Sequence, residues 1–457
     1  MIRLFNHHLS ARTMLLASLE GALLFMSVVL GVQLDDPGRL IDQPYVDGAL
    51  FMAIMLVAML GLGLYPASAE PFRTTALRVL VAYALSLLLV VMGFYVLPDM
   101  LLGQEVMTWI SVLALCSILV VRWIAQGITD LGLPKRRILV VGNGPEAAAV
   151  AAQLRDSSGQ RNIEYAGTFR AIPEAGVRED GLQASPRGLA QVLRQQQVSE
   201  IVVATRERRG GVLPLRELLD ARLSGIRVMD AETFYEREQS VVRLDNLRAS
   251  WMIYGEGFRQ STIRDLVKRL FDVVVSGALL LLSLPVLLLG MLAIYLETGA
   301  PVFYAQERVG RGGRPFRIVK LRSMRQDAEA DGKARWATVN DSRITRVGMF
   351  LRKSRIDELP QLWSVLKGDM SFVGPRPERP VFVKQLIEQV PFYDIRHSIK
   401  PGVTGWAQVR HTYGSTVADS MKKLEYDLYY VKNHSLFLDL VILLETIQVV
   451  LLGKGAR

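Results

Sequence analysis

Four long apolar runs open the chain, at about 13–33, 48–66, 75–97 and 106–124. Each approaches the roughly 20 residues an α-helix needs to cross hydrocarbon. Short polar loops divide them, so the pattern predicts a four-helix transmembrane bundle at 1–128 rather than a soluble bundle of buried helices. Loop charges orient it. Asp35, Asp36, Asp42 and Asp47 stand against Arg39 alone in the first outer loop, and Asp99 and Glu105 have no cation beside them in the second. Arg3, Arg12, Arg73, Arg78, Arg122, Lys135, Arg136 and Arg137 lie on the other side. Both ends of the bundle are therefore expected in the cytoplasm.

After Pro134 the pattern changes to short apolar strands alternating with helical stretches. Strands are expected at 135–142 (KRRILVVG), 163–169, 200–204 and 225–229, with an Ala-rich helix from the Gly142-Asn143-Gly144-Pro145-Glu146-Ala147 turn through Leu154. That alternation predicts a Rossmann-like parallel sheet. Gly142, Gly144 and Ala147 are spaced like a dinucleotide fingerprint, yet Arg170 stands where the ribose-binding acid belongs. A tight turn without ligand and an allosteric nucleotide site both remain open, and no redox residues support a dehydrogenase. Residues 231–262 have the texture of a connector, with an aromatic and charged stretch at 234–239. The α/β unit is bounded at 135–240 and the linker at 241–262.

A fifth apolar run, 270–296, is long enough to span but is broken by Ser283 and Pro285. Lys268 and Arg269 precede it, and Arg308, Arg311, Arg314 and Arg317 follow, so both flanks are basic. A single crossing would place one basic flank outside. Proline removes a helical hydrogen bond, and a nearby serine can satisfy the freed backbone. A re-entrant hairpin over about 268–297 fits both facts, with a proline-kinked fifth span as the alternative.

The net charge is +10, and the only cysteine, Cys116, lies in an apolar run. No disulfide or thiolate metal site is possible within one chain. Between Gln306 and Arg355 stand fourteen Lys/Arg and five acids. Beside a membrane hairpin, such a cluster points to phosphate or anionic lipid rather than nucleic acid.

Ser354-Arg355-Ile356-Asp357-Glu358-Leu359-Pro360-Gln361-Leu362-Trp363 then carries an apolar helical stripe at Leu359, Leu362, Trp363 and Leu366. Proline is tolerated only in a first turn, so the helix is expected to start near Asp357. The helix dipole and Arg352, Lys353 and Arg355 would then keep that carboxylate ionised. An ionised carboxylate can attack phosphorus, and it can equally be a plain N-cap. The prolines of Asp369-Met370-Ser371-Phe372-Val373-Gly374-Pro375-Arg376-Pro377-Glu378 stiffen a loop that aims Arg376 and Glu378 or merely exposes them. Trp406, after a second stiff turn at 400–405, is either core or a base-stacking surface. The run at 436–452, interrupted by Asp439 and Glu445, reads as a membrane-surface helix.

Taken in order, these blocks resemble the bacterial sugar transferase family, the monotopic phosphoglycosyl transferases. The likeness covers about 262–457: Lys268-Arg269 with Asp272, the Ser283/Pro285 break, 301–306 (PVFYAQ), 310–313 (GRGG), Phe316, Lys320, Arg322-Ser323-Met324, 357–361 (DELPQ), 369–378 and 401–405 (PGVTG). The preceding spans and α/β unit resemble the large subgroup that primes exopolysaccharide or O-antigen synthesis, and the opening MIRLFN resembles its exosortase-associated branch. In many relatives the serine and proline are adjacent; here Leu284 separates them.

The resemblance implies a mainly α-helical catalytic domain at 263–457 on the cytoplasmic face of the bacterial inner membrane, in a multi-pass protein. It implies transfer of a sugar-1-phosphate from a UDP-sugar, with UDP-glucose or UDP-galactose expected, to undecaprenyl phosphate. UMP would leave and a phosphosugar-aspartyl intermediate would form on Asp357. Glu358 would help hold Mg²⁺ with Asp357. Arg376, Glu378, Arg322, Lys320 and Arg355 would face phosphate or nucleotide. A homodimer is compatible with this picture. Two other classes were weighed: a silent scaffold, against which the intact Asp357-Glu358 pair stands, and a metal-dependent glycosyltransferase, for which no Asp-x-Asp exists after residue 47.

Overall fold

The computed structural model describes residues 2–4, 7–9, 11–35, 44–62, 64–65, 72–96, 104–130, 135–157, 163–170, 188–205, 213–245, 247, 252, 257–258, 261–328, 341–411, 414 and 416–451. Several charges weighed above lie outside them: Asp36, Arg39, Asp42, Asp99, Glu329, Asp331, Lys333 and Arg335. Two short strands, β1 (Ile2–Leu4) and β2 (His7–Leu9), pair at the start of the chain. The remainder divides into two compact units, Leu9–Gln239 and Ser240–Arg457.

The first unit begins with helices α1 (Ala11–Asp35), α2 (Pro44–Gly61), α3 (Phe72–Val96) and α4 (Gln104–Asp130), one for each opening apolar run. Leu24, Val28, Met55, Met59, Ile110 and Ile118 fill their common core. Among the described residues, Thr13–Leu34 and Val106–Ala125 are long and apolar enough to cross a membrane, and Gly48–Leu60 is a shorter apolar helix. A charge is buried inside this bundle. Arg122 donates through Nε and Nη2 to Glu20 (2.5 and 2.9 Å) and through Nη1 to the Leu64 carbonyl (2.6 Å). The Tyr65 hydroxyl completes the cluster by donating to Glu20 Oε2 at 2.6 Å.

The same unit continues as β3 (Arg136–Val141), α5 (Pro145–Ser157), β4 (Ile163–Phe169), α6 (Leu189–Gln195), β5 (Glu200–Val203), α7 (Leu215–Leu223), β6 (Arg227–Asp230) and α8 (Ala231–Gln239). The four strands form one parallel sheet in the order β4-β3-β5-β6. β3 is buried throughout its apolar half, as a central strand in a parallel sheet must be. Gly142 is required by the sheet itself: a Cβ there would stand 1.9 Å from the Ala204 carbonyl oxygen. The stretch at 234–239, expected in a connector, is instead the last helix of this unit. Its charged residues turn inward, with Arg237 on Glu200 (2.6 Å) and Arg136 on Glu238 (3.0 Å).

The second unit is organised by α9 (Thr262–Thr298), a 37-residue helix containing Pro285. It is the third helix long and apolar enough to cross a membrane. Pro285 cannot donate to the carbonyl four residues back. The Ser283 hydroxyl donates to the neighbouring Leu280 carbonyl at 3.2 Å. Leu281, Leu282 and Leu289 are exposed, while Leu287 and Ile294 pack on Leu321 and Leu351.

Both ends of α9 are fastened within this unit. Arg269 donates to the Val365 and Leu366 carbonyls (2.5 and 2.6 Å), at the C-terminal end of α11 (Gln361–Lys367). Glu297 accepts from the Arg346 and Val347 amides (2.9 and 3.1 Å), which open α10 (Arg346–Lys353). A cation thus meets orphan carbonyls and a carboxylate meets orphan amides, each at the helix end whose charge it complements.

The remaining elements form the body on which the site is built. They are the antiparallel pair β7 (Phe303–Val309) and β8 (Pro315–Leu321), the parallel pair β9 (Ser371–Val373) and β10 (Gly402–Thr404), and α12 (Pro380–Gln389), α13 (Trp406–Arg410), α14 (Val417–Asn433) and α15 (Leu436–Leu451). Trp406 is core, stacked on Tyr429 and donating to the Ser240 carbonyl at 2.9 Å. The expectation of a surface-lying last helix is corrected for α15. Leu438 and Ile442 are fully buried, and Asp439 turns inward to Lys268 (3.0 Å) and Tyr430 (2.6 Å). A buried carboxylate with two such partners belongs to a packed face rather than to a headgroup layer.

Candidate active site

The chain turns sharply after α10. Ser354 caps it, and Arg355 takes a left-handed conformation (φ 60°) that a non-glycine residue enters only at a cost. Ile356–Glu358 then form a single 3₁₀ turn, and α11 begins only at Gln361, behind Pro360. The helix does not start at Asp357, as the proline rule suggested. The 3₁₀ turn supplies the break one turn earlier and brings the two acids to its own tip.

The charges on these acids split. Glu358 Oε1 lies 3.0 Å from Lys320 Nζ and 2.9 Å from Arg376 Nη2, with Arg355 3.9 Å from Oε2. Burial alone would raise the Glu358 pKa, but Arg376, Lys320 and Arg355 hold it well below the usual carboxylate range. Asp357 is 8 % exposed, and its Oδ1 is buried without a hydrogen-bond partner among the described residues. Burial first, and the Glu358 charge second, push it up to about 6 against Lys320, Arg352 and Arg355. The expected full stabilisation of its charge is therefore corrected: the cations spend their field mainly on the neighbour. At neutral pH Asp357 still ionises, as an under-solvated carboxylate.

The frame around the pair is rigid. Lys320 sits on β8, two residues after Ile318, which packs with Val365 and Met370. Arg376 follows β9, and the β9–β10 contact admits no side chain at its glycines. A Cβ on Gly374 would lie 2.4 Å from the Lys400 carbonyl oxygen, and one on Gly402 2.1 Å from the Gly374 amide nitrogen. Arg376 Nη1 donates to Gln408 Oε1 (3.1 Å), and its carbonyl accepts from Arg396 Nη2 (2.9 Å). Arg396 is itself locked to buried Asp427 at 2.8 Å. Glu378 accepts from Arg308 at 3.5 Å, and its carbonyl takes the Val309 amide.

The structure thus gathers Asp357, Glu358, Lys320, Arg355 and Arg376, with Glu378 beyond them. Arg322 is not part of this cluster. Its Nη2 donates to the Thr298 and Gly299 carbonyls (3.2 and 2.8 Å) and to the Thr298 hydroxyl, so it caps the end of α9. Lys268 and Asp272 form a base under the site. Lys268 bridges Asp272 and Asp439, while Asp272 Oδ1 accepts the Phe372 amide (3.1 Å), holding β9 against α9. Gln408, Arg396 and Asp427 support Arg376 without any local motif to announce them.

An exposed apolar helix anchored beside a buried, half-compensated carboxylate pair defines a membrane protein equipped for phosphoryl chemistry. Residues 263–453 match the family described as bacterial sugar transferase. The chain is 31% identical over 360 residues to the UDP-glucose:undecaprenyl-phosphate glucose-1-phosphate transferase of Klebsiella pneumoniae, covering 75% of each chain. It is 43% identical over 242 residues to the UDP-N-acetylgalactosamine-undecaprenyl-phosphate N-acetylgalactosaminephosphotransferase of Aeromonas hydrophila, covering 53% of this chain and 56% of that one. The undecaprenyl-phosphate glucose phosphotransferase of Komagataeibacter xylinus is 31% identical over 370 residues, 78% of this chain and 66% of the relative. The chain belongs to the bacterial sugar transferase family and is a transferase.

Proposed function

We propose that the protein transfers a sugar-1-phosphate from a UDP-sugar to undecaprenyl phosphate and releases UMP, as a priming step in exopolysaccharide or O-antigen-type glycan synthesis. The observation that carries this reading is the unpartnered Asp357 Oδ1 beside a carboxylate already claimed by three cations. In the first half-reaction an Asp357 oxygen bonds to the β-phosphorus and the bond from that phosphorus to the bridging oxygen of UMP breaks. The product is an acyl phosphate carrying the sugar. In the second, a phosphate oxygen of the polyprenyl carrier bonds to the same phosphorus and the Asp357 carboxylate leaves. Lys320 and Arg376 lie where they can move part of their charge from Glu358 to the diphosphate as it arrives. The printed names of the relatives support UDP-glucose, the notional UDP-galactose, or an N-acetylgalactosamine donor.

Among the described residues no three His, Cys, Asp or Glu side chains could hold a metal. Asp357 Oδ1 and Glu358 fit Mg²⁺ as the one or two carboxylates it commonly takes, with water and diphosphate oxygens as its other ligands. The ion would neutralise diphosphate charge when bound.

The two fastened ends of α9 support a re-entrant reading of this helix, which keeps the catalytic unit on the cytoplasmic face of the inner membrane. The β4-β3-β5-β6 order supports a Rossmann-like reading of the α/β unit. Gly142 is accounted for by Ala204, so that unit is read as having no nucleotide at this turn.

The test is a screen of UDP-sugars with undecaprenyl phosphate in nanodiscs, reading UMP release. Radiolabelled donor should leave phosphosugar on the wild-type chain and none on Asp357→Asn. Donor turnover without any labelled protein would overturn the covalent route.

A further inference from the structure

A cleft of roughly 520 Å³ shares Arg376 with the carboxylate pair. Its base is neutralised, because Arg396 and Asp427 cancel one another while Arg396 also donates to Tyr393 (2.7 Å). Its other polar walls are Gln408, His411 and Lys423. The function proposed above gives none of these three a role, and it also leaves the departing half of the donor without a seat. With the β-phosphorus at Asp357, the α-phosphate is one bridging oxygen away, and Arg376 touches both the pair and the cleft.

We propose that this cleft binds the nucleoside monophosphate portion of the donor, with Arg376 and Lys423 on the α-phosphate and Gln408 and His411 on the base. The proposal rests on the reaction assigned above. The volume lies within the range of small-ligand clefts. His411 Nε2 is buried and makes no hydrogen bond among the described residues; the nearest carboxylate oxygen, on Asp419, is 3.7 Å away. A base edge would satisfy it. Burial, together with Arg376 and Arg396, disfavours the Lys423 ammonium against the pull of Glu378, so an arriving phosphate relieves a cation that the free protein leaves under-compensated. Burial and Lys423 also hold His411 below its usual pKa, so it presents a neutral imidazole with one donor and one acceptor nitrogen.

Ser420 lines the same cleft and offers a direct test. In the full-length chain in nanodiscs, with Cys116→Ser removing the native thiol, the thiol introduced by Ser420→Cys is labelled with a maleimide. UMP should block labelling at the concentrations that inhibit transfer, and ribose 5-phosphate should need at least about tenfold more. Lys423→Gln should raise the half-protecting concentration of both compounds about tenfold or more, while His411→Ala should raise it for UMP alone. Labelling indifferent to UMP, or both variants within about twofold of the parent, overturns the subsite. Asp357→Asn separates the two claims. If it is inactive and UMP does not protect, the subsite alone fails; if it turns over normally and UMP protects, the nucleophile alone fails.

Discussion

Two clusters of buried charge in this molecule use almost the same side chains to opposite ends. In the helical bundle, every side-chain nitrogen of Arg122 that can meet Glu20 or the Leu64 carbonyl does so, and Tyr65 covers the remaining carboxylate oxygen. At the 3₁₀ turn, three cations converge on Glu358 and leave Asp357 Oδ1 with nothing. A closed cluster can only hold helices together. An open one keeps a charge available for a reaction. What separates structure from chemistry here is how many lone pairs are spoken for, and neither burial nor residue type decides it.

The sharpest break in that comparison is chemical. Asp357→Asn should lower UMP release by at least about 10³-fold. The same change should raise thermal stability near neutral pH by on the order of 2 kcal/mol at most. The sign follows from the raised pKa. A buried carboxyl that titrates near 6 when folded and near 3.8 when unfolded destabilises the fold increasingly as pH climbs through that window, and the amide does not. A dead enzyme that also melts earlier would argue for a structural Asp357. In the bundle, Arg122→Ala should do the reverse. It strands Glu20 and costs about 3–5 kcal/mol of stability, read as a lower melting temperature, while turnover per folded molecule stays at the parent level.

Smaller effects sharpen the picture. Arg376→Lys should cut turnover about a hundredfold despite keeping the charge, because one ammonium cannot serve Glu358 and Gln408 together. UMP release should fall about tenfold per pH unit below about 6, as Asp357 takes up its proton. Glu358→Gln should shift that inflection to lower pH, since the charge it removes is one that raises Asp357. The pH profile of the single-turnover burst checks both. Least in size, a cysteine from Arg314→Cys should stay unlabelled when impermeant reagent is added outside spheroplasts, as a re-entrant α9 requires.

Much of this was legible along the chain. The apolar runs mark α1–α4 and α9, strand positions in the α/β unit fall within two residues of their expected ends, and Asp357, Glu358, Lys320, Arg355 and Arg376 do converge. What periodicity missed is long-range. Arg396 and Asp427 are 31 positions apart, and Gln408 is 32 from Arg376. Arg322 looked like a phosphate ligand because its neighbours are basic, yet carbonyls at the end of α9 claim it. Asp439 and Glu445 suggested a wet helix face; Lys268 and Arg410 turn them inward. The raised pKa of Asp357 was unreadable because it depends on which neighbour captures the cations.

The clasps at the two ends of α9 also govern how the protein can be handled. Deleting the first 239 residues removes the obvious greasy segments and leaves a fragment that still carries a long oily helix, bolted at both ends by side chains that the fold itself needs. Such a fragment will come out of cells only with surfactant. Trimming the helix away would release the caps on α10 and α11, and with them the turn that presents Asp357.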